Sequence, residues 1–173
     1  EGYLVPSPSG RAAMLKGIEV ARANGVKVAL SFSDPSMVKF FRNEMIEVVG
    51  DGVDLLFCNE EEAMLFTETE NLLAAREALK NVAKRFVITL GKNGASIFDG
   101  DTFIDIESYR VEAIDTNGAG DMFAGAFLFA ITHGHSYAEA GKLASLASSK
   151  VVSQFGPRLD WTQAKEVLSH LID

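Results

Sequence analysis

Cysteine, long apolar runs and clustered basic residues are all scarce in this sequence of 173 residues. The one cysteine, Cys58, excludes a disulfide within the chain and suits a reducing compartment, so we expect a cytoplasmic protein. No apolar stretch approaches the roughly 20 residues that span a bilayer, and we expect no membrane contact. A net charge of −8 without any basic run argues against nucleic acid as a partner.

Several nucleotide- and metal-binding motifs are also missing. The sequence contains neither a Walker motif nor G-x-G-x-x-G, so a P-loop enzyme and a dinucleotide-binding fold have no support. His133 and His135 follow a predicted helix, where imidazole suits the last carbonyls better than a metal. Cys58 ends an apolar run, which favours a buried strand residue over a catalytic thiol.

Apolar strands alternate with amphipathic helices along most of the chain. The runs "VKVALSF", "VDLLFCN" and "RFVITLG" are typical of strands buried on both faces of a sheet. Asp34 followed by Pro35 predicts a helix start, and Asp99-Gly100 predicts a hairpin turn that interrupts the alternation. This pattern predicts an α/β fold, a three-layer α/β/α sandwich with a mostly parallel, Rossmann-like sheet.

The two ends of the chain carry weaker signals. The chain begins with Glu1 rather than methionine, and "YLV" at 3–5 is predicted to be the middle of a strand. We therefore expect that an N-terminal portion is missing. At the other end, Thr162 is the predicted N-cap of a closing helix.

The segment 114–127, "IDTNGAGDMFAGAF", combines glycines, one aspartate and the start of an apolar helix. A helix N-terminus leaves N–H groups unpaired and carries partial positive charge, and glycines let a ligand approach it closely. Residues 117–120 are therefore predicted to form an anion pocket for phosphate. The helix behind the pocket is predicted to be buried, with Gly125 allowing close packing against the sheet.

Asp121, in the first turn of this helix, has two interpretations. It is either a helix-start aspartate favoured by the helix dipole or a catalytic base. A carboxylate beside an anion pocket is what phosphoryl transfer needs, because it orients and deprotonates a hydroxyl while N–H donors bind the transferred group. The residue alone leaves both interpretations open.

The motif "DTNGAGD" at 115–121 resembles the D-T-x-G-A-G-D signature of the ribokinase-like, or PfkB-type, carbohydrate kinases. Two other segments match motifs of that family in the same order: "NEEE" at 59–62 matches N-x-x-E, and "TLGKNGA" at 89–95 matches T-x-G-x-x-G. The resemblance covers essentially the whole chain. It implies that residues 1–173 are the ATP-binding and catalytic portion of a longer kinase domain of ribokinase-like fold.

The resemblance implies a role for each matched residue. Asp121 would be the base that takes the proton from the acceptor hydroxyl. Asn59 and Glu62 would act where Mg²⁺ meets the phosphates of ATP, with Glu62 holding the ion through water, since Mg²⁺ prefers water and a few oxygen ligands. From the residues alone, a solvated acidic helix start is the favoured interpretation of the three glutamates, and Glu60 and Glu61 are expected to be surface residues. The anion hole would be the backbone of Gly118, Ala119 and Gly120.

The nucleotide site is implied in the same way. Thr89, Gly91 and Gly94 would lie along the phosphates and ribose, at the end of a strand where open α/β sheets place their ligands. In the family an asparagine of A-N-x-A-A lies near the adenine. Here the matching segment is "ASLASS", so Ser145 and Ser148 are the candidates for that wall.

A monovalent cation is a further implication of the resemblance, because many members bind K⁺ next to the anion hole. In this sequence Asp115 and Asn117 are the candidates, together with carbonyls near 151–156 and Asp160. Carbonyl ligands leave almost no trace in a sequence.

The acceptor is less well defined, because the N-terminal portion that recognises it in the family has no counterpart here. The segment "LSFSDPSMVKFF" resembles the adenosine-kinase-like branch, so the acceptor alcohol belongs to a sugar or a nucleoside. Dimerisation in the family often uses that missing portion, which leaves a homodimer of the full-length protein open. We expect these 173 residues alone to be catalytically inactive. The alternative function is a non-catalytic nucleotide- or phosphate-binding module, which needs the N–H groups but not Asp121.

Overall fold

The computed structural model describes residues 1–171 as an α/β fold, which confirms the predicted fold class. Its helices are α1 (Pro8–Ala23), α2 (Pro35–Val49), α3 (Glu60–Thr67), α4 (Leu72–Leu79), α5 (Ala119–Thr132), α6 (Tyr137–Val152) and α7 (Trp161–Ser169). Its strands are β1 (Ala29–Ser31), β2 (Leu55–Asn59), β3 (Phe86–Thr89), β4 (Ala95–Phe98) and β5 (Phe103–Ile106). No helix of residues 1–171 is both long and apolar enough to cross a membrane.

The five strands form one sheet in the order β1-β2-β3-β4-β5. Strands β1 and β2 are parallel, with Ala29 opposite Leu55 and Ser31 opposite Phe57. Strands β4 and β5 are neighbours joined by the short turn at 99–102, which is the predicted hairpin, and Gly100 there has a φ of 105°. Because a turn this short joins only antiparallel strands, the sheet is mixed rather than uniformly parallel.

The described residues form two compact units. The first comprises Glu1–Ile88 and Phe98–Asp101, and its core is built from Phe32, Met45, Leu56, Leu79 and Phe86, all nearly inaccessible to solvent. Asp34 begins α2 as predicted, because its carboxylate accepts a hydrogen bond from the N–H of Ser36 at 2.8 Å. That bond and one from the Ser36 hydroxyl lower the pKa of Asp34.

The second unit comprises Thr89–Ile97 and the residues from Thr102 onward, and contains α5, α6 and α7. The glycine that allows close packing against the sheet here is Gly141 on α6. A Cβ at that position would lie 2.6 Å from side-chain atoms of Ile97 and of Ile106. At Gly125 a Cβ would meet nothing within 4 Å, so the prediction for that residue is wrong.

Two local predictions near the chain ends are also wrong. Residues Gly2–Leu4 form a 3-10 turn instead of a strand, because the N–H groups of Leu4 and Val5 donate to carbonyls three residues back. Helix α7 is capped by Asp160 rather than Thr162. The Asp160 carboxylate accepts from the N–H of Gln163 at 2.8 Å, and the Gln163 side chain accepts from the N–H of Asp160 at 2.9 Å.

Candidate active site

The motif at 114–121 folds into a turn that leads into α5 without a side-chain cap. Gly118 is the N-cap residue, with a φ of 76°. A Cβ at Gly118 would lie 2.5 Å from the Cβ of Pro157 and 2.6 Å from its carbonyl oxygen. Both the backbone conformation and the available space therefore require glycine. A Cβ at Gly120 would meet nothing within 4 Å, so open space surrounds that position.

The first turn of α5 presents unpaired donors. The N–H groups of Gly118, Gly120 and Asp121 make no hydrogen bond to any residue within 1–171, whereas the N–H of Ala119 donates to the carbonyl of Thr116 at 3.3 Å. Unpaired N–H groups and the helix dipole together favour an anion at this end of the helix. The predicted anion hole therefore has its donors on either side of Ala119 rather than on Ala119 itself.

Asp121 lies in the first turn of α5 with an exposed side chain. Its carboxylate makes no hydrogen bond or ion pair with the described part of the chain, so both oxygens are available. It borders a groove of about 450 Å³ that is lined mainly by apolar residues of α5, α6 and α7 and by 157–159. The predicted base is thus next to the unpaired donors and is engaged by no other side chain.

A larger cavity, of about 600 Å³, lies within the second unit next to the start of α5. Its volume is in the range of sites that bind drug-sized ligands. Seven of the residues predicted from the sequence line it together: Thr89, Gly91, Gly94, Ala119, Gly120, Ser145 and Ser148. Gly118 and Asp121 are not among its lining residues, although they flank Ala119 and Gly120.

The segment 107–118 contributes to this cavity through residues 108–111 and 113, which no sequence motif indicated. It contains neither helix nor strand and joins β5 to α5, and the Tyr109 and Val111 side chains at the cavity are each 47% exposed. Arg110 and Lys92 also line the cavity and supply positive charge. A long connection without periodicity is the one signal that points to this segment, since such loops are often functional.

Ser145 and Ser148, the predicted wall residues, lie one turn apart on α6 and both line the cavity, and their hydroxyl protons are engaged. The hydroxyl of Ser145 donates to the carbonyl of Glu107 at 3.0 Å, and that of Ser148 donates to the carbonyl of Ala119 at 3.0 Å. Towards a ligand, each hydroxyl is therefore left with its oxygen as an acceptor.

The T-x-G-x-x-G segment turns between β3 and β4. Gly91 has a φ of 56° and no atom within 4 Å of a would-be Cβ. Gly94 has a φ of 90°, and a Cβ there would lie 1.8 Å from the carbonyl oxygen of Ile106. Gly94 is thus required by the fold, whereas Gly91 leaves the cavity wall open.

Asp115 links the motif to the segment that follows α6. Its two oxygens accept from the N–H groups of Asn117 at 3.0 Å and of Gly156 at 3.1 Å, and these bonds lower its pKa. The carbonyl of Val152 accepts from the N–H groups of Ile114 and Asp115. The predicted cation ligands Asp115 and Asn117 are thus adjacent, and Asp115 remains ionised, as a cation ligand must.

Asn59 and Glu62 belong to the first unit, where they join β2 to α3. The Asn59 side chain accepts from the N–H of Glu62 at 2.8 Å. In return the Glu62 carboxylate accepts from the N–H of Asn59 at 2.9 Å and from its side-chain amide at 2.8 Å. Glu62 is only 3% exposed, and burial raises its pKa to about 7. The pair is therefore a capping box with a buried carboxylate.

The remaining candidate groups have structural explanations. Cys58 is buried, as predicted, and burial raises the pKa of its thiol well above the ordinary value, with the nearby Glu62 adding to the effect. His133 hydrogen-bonds through Nδ1 to the carbonyl of Phe129 at 2.7 Å, as a C-terminal cap does. Within residues 1–171 no three His, Cys, Asp or Glu side chains are grouped to hold a metal.

The family model of the pfkB family carbohydrate kinases matches residues 1–164. The chain belongs to the PfkB family of carbohydrate kinases. The match covers most of the residues described above, including all three motifs that suggested the resemblance.

Relatives and solved structures agree with this assignment. The ribokinase of Lactococcus lactis is 35% identical over 150 residues, which are 83% of this chain and 46% of the relative. A probable sugar kinase protein from Rhizobium etli has a TM-score of 0.92 at 31% identity, and covers 99% of this chain and 53% of its own. The adenosine kinase of Sinorhizobium meliloti has a TM-score of 0.91 at 34% identity. The match covers 97% of this chain and 52% of that kinase. The chain thus spans about half the length of the relatives it matches.

Structures with lower identity share the fold and carry ligands. An E. coli protein solved with ATP and Mg²⁺ has a TM-score of 0.84 at 23% identity, covering 99% of this chain and 56% of its own. The E. coli phosphofructokinase-2 in complex with potassium has a TM-score of 0.74 at 22% identity. The match covers 92% of this chain and 52% of that structure's chain. At such identities the likeness shows the fold alone.

Proposed function

We propose that the full-length protein transfers a phosphoryl group from ATP to an alcohol group of a sugar or nucleoside. The observation that carries this proposal is the start of α5, where a glycine in the left-handed conformation precedes unpaired N–H groups and an unengaged carboxylate. Membership of a carbohydrate kinase family supports the same reaction class.

In this mechanism each residue at the start of α5 has a separate role. The N–H groups of Gly120 and Asp121 donate hydrogen bonds to the oxygens of the transferred phosphoryl group, where negative charge accumulates. The carboxylate of Asp121 orients the acceptor hydroxyl and takes its proton. Gly118 fixes the direction of the helix start, because only glycine fits beside Pro157 with this backbone conformation.

The cofactors that we propose are ATP, Mg²⁺ and a monovalent cation such as K⁺. The large cavity has the volume, the two cationic side chains Lys92 and Arg110, and the helix N-terminus that a nucleotide with phosphates requires. Mg²⁺ would neutralise phosphate charge during transfer. Glu62 fits a water-mediated role, since both of its oxygens already accept hydrogen bonds from Asn59. Asp115 and Asn117 are the proposed cation ligands.

The proposed acceptor is a small sugar or nucleoside. Relatives include a ribokinase and a cytidine kinase, and structure neighbours include an adenosine kinase, so both acceptor classes occur among similar proteins. The family resemblance also makes a homodimer of the full-length protein part of the proposal. Gel filtration with light scattering would show it as a doubled mass.

The decisive variant is Asp121→Asn in the full-length protein, assayed by ATP-dependent phosphorylation of a panel of sugars and nucleosides. Loss of the base predicts a fall in kcat by roughly 10²- to 10⁴-fold, the range that general base catalysis contributes, with ATP affinity largely kept. Asp51→Asn, in the exposed turn after α2, serves as the matched control and should remain as active as wild type. Unimpaired turnover by Asp121→Asn would reject the assignment.

The same assay separates the alternative function, a non-catalytic nucleotide-binding module. Such a module would bind ATP by calorimetry yet phosphorylate no acceptor, and Asp121→Asn would change nothing. We also propose that residues 1–173 alone bind nucleotide weakly and do not turn over. Turnover by this piece at rates typical of an intact kinase would contradict that part of the proposal.

A further inference from the structure

Two serines of α6 form hydrogen bonds at the two ends of the segment 107–118. Ser145 donates to the carbonyl of Glu107, where the segment begins, and Ser148 donates to the carbonyl of Ala119, directly after it ends. Both bonds connect α6 to parts of the chain that are 38 and 29 residues away, respectively. The walls of the large cavity are thus joined through one face of α6.

The bond made by Ser148 differs from what serines within a helix ordinarily do. Ser149 and Ser153, its neighbours near the end of α6, donate to carbonyls of α6 itself, at Leu146 and Ser149. Such local bonds within a helix are the common arrangement for serine. Ser148 instead reaches a different helix, and its acceptor is the first residue of α5.

At the start of α5, Gly118 lies against Pro157, whereas Ala119 and Gly120 carry little or no side chain. Residues 118–120 are Gly-Ala-Gly, the helix has no side-chain cap, and a large part of this turn is exposed. The carbonyl of Ala119 and the N–H of Gly120 belong to the same planar peptide group, so a hydrogen bond to this carbonyl constrains the direction in which the Gly120 N–H points.

We infer that Ser148 is a positioning residue, whose hydroxyl orients the start of α5 so that its unpaired N–H groups face the phosphates of a nucleotide in the large cavity. This inference rests on the proposed nucleotide site. It gives Ser148 a role different from that of a wall for adenine, because the bond acts on the phosphate end of the site. Ser148 touches no reacting atom in this role.

The test compares ATP with adenosine, which differ only in the phosphates, on the full-length protein in the presence of Mg²⁺, and measures how well each displaces a fluorescent ATP analogue, so that adenosine at the acceptor site does not count. Ser148→Ala is expected to weaken ATP binding by about fivefold, the effect of one ordinary hydrogen bond, and to leave adenosine binding unchanged. Ser148→Thr keeps a hydroxyl and should restore ATP binding. Ser169→Ala is the matched control, since Ser169 donates only to Glu166 within the last turn of α7.

The outcomes separate the inference from the proposed function. If wild type binds no ATP, the nucleotide site itself is refuted, and the inference with it. If wild type binds ATP and Ser148→Ala does so equally well, or loses ATP and adenosine in the same proportion, only the role of Ser148 is refuted. If Ser148→Ala does not fold, Ser148→Cys replaces it, because a thiol keeps the size of the side chain and donates weakly.

Discussion

Replacing Glu62 by glutamine should change how the stability of the protein depends on pH. In the folded state the Glu62 carboxyl is 3% exposed and its pKa is raised to about 7, chiefly by burial and further by the charges of Asp34, Glu61 and Glu1. The hydrogen bond from the Asn59 N–H acts in the opposite direction. In the unfolded chain the carboxyl regains an ordinary pKa of about 4.3 to 4.5.

The direction of the effect follows from proton binding. Between the two pKa values the folded state holds a proton at Glu62 that the unfolded state has lost, so the free energy of unfolding falls as pH rises through this window. Each pKa unit corresponds to about 1.36 kcal/mol, which places the full effect near 3 kcal/mol and the part between pH 5 and 8 near 2 kcal/mol. At pH values above 7 to 8, the full reduction in the free energy of unfolding has been reached.

The measurement is urea unfolding of wild type and Glu62→Gln at several pH values from 5 to 8, in EDTA so that no divalent cation binds the carboxylate. Glutamine is compatible with a capping box and cannot ionise, so the variant should gain about 2 kcal/mol relative to wild type across this range. Glu60→Gln, in the same helical turn, is the control and should run parallel to wild type. A constant difference between Glu62→Gln and wild type, within about 0.5 kcal/mol, would refute the buried, protonated carboxyl.

Three further predictions concern the packing of particular residues. Gly118→Ala should destabilise the protein by roughly 2 kcal/mol or more in urea unfolding, through a strained φ and a clash with Pro157, whereas Gly120→Ala should be neutral or stabilising by up to about 1 kcal/mol. Equal effects of the two would contradict the geometry of the α5 start. Gly141→Ala should cost about 1 to 3 kcal/mol, because its Cβ overlaps two isoleucine side chains of the sheet, and an unchanged unfolding midpoint would count against this packing. Cys58 should resist a thiol reagent until the protein unfolds, and rapid labelling of the native chain would show that it is not buried.

Local signals in the sequence predicted local structure well. Asp34 with the following proline begins α2, and the turn at Asp99-Gly100 joins β4 to β5. In each case the residue that determines the structure acts within a few positions of itself, through a hydrogen bond to a nearby N–H or through a permitted φ. The glycine motif at 117–120 belongs to the same class, and the turn before α5 forms where it was predicted.

Predictions that depended on contacts between distant residues were less successful. Gly125 and Gly141 occupy similar apolar helical contexts, and only the packing of α6 on β4 and β5 shows that Gly141 is the one under constraint. The tie between Ser148 and Ala119 depends on how two helices meet, which leaves no mark on either segment of the sequence. Tyr109 and Arg110 were missed for the same reason, since a loop without periodicity does not indicate what it faces.

A capping box alone would account for the N-x-x-E pattern at Asn59 and Glu62. The other capping boxes of the chain therefore show whether capping also explains the burial of Glu62. Within residues 1–171 there are three capping boxes, at Asn59/Glu62, Ser136/Glu139 and Asp160/Gln163. Glu139 performs the same capping while exposed, and its hydrogen bonds with Ser136 lower its pKa. Capping therefore does not require a buried carboxyl.

At Glu62 the same motif carries a cost in stability that Glu139 avoids. A buried carboxyl with a raised pKa is a feature that functional sites share more often than structural caps do. The burial of Glu62 thus favours a role beyond capping, in keeping with the magnesium–phosphate role that the family resemblance implies. Glu62→Gln therefore has a second expected outcome in the full-length protein, namely a weaker dependence of turnover on Mg²⁺ together with the gain in stability at neutral pH. A variant that gained stability and kept the wild-type response to Mg²⁺ would show that the buried carboxyl serves the fold alone.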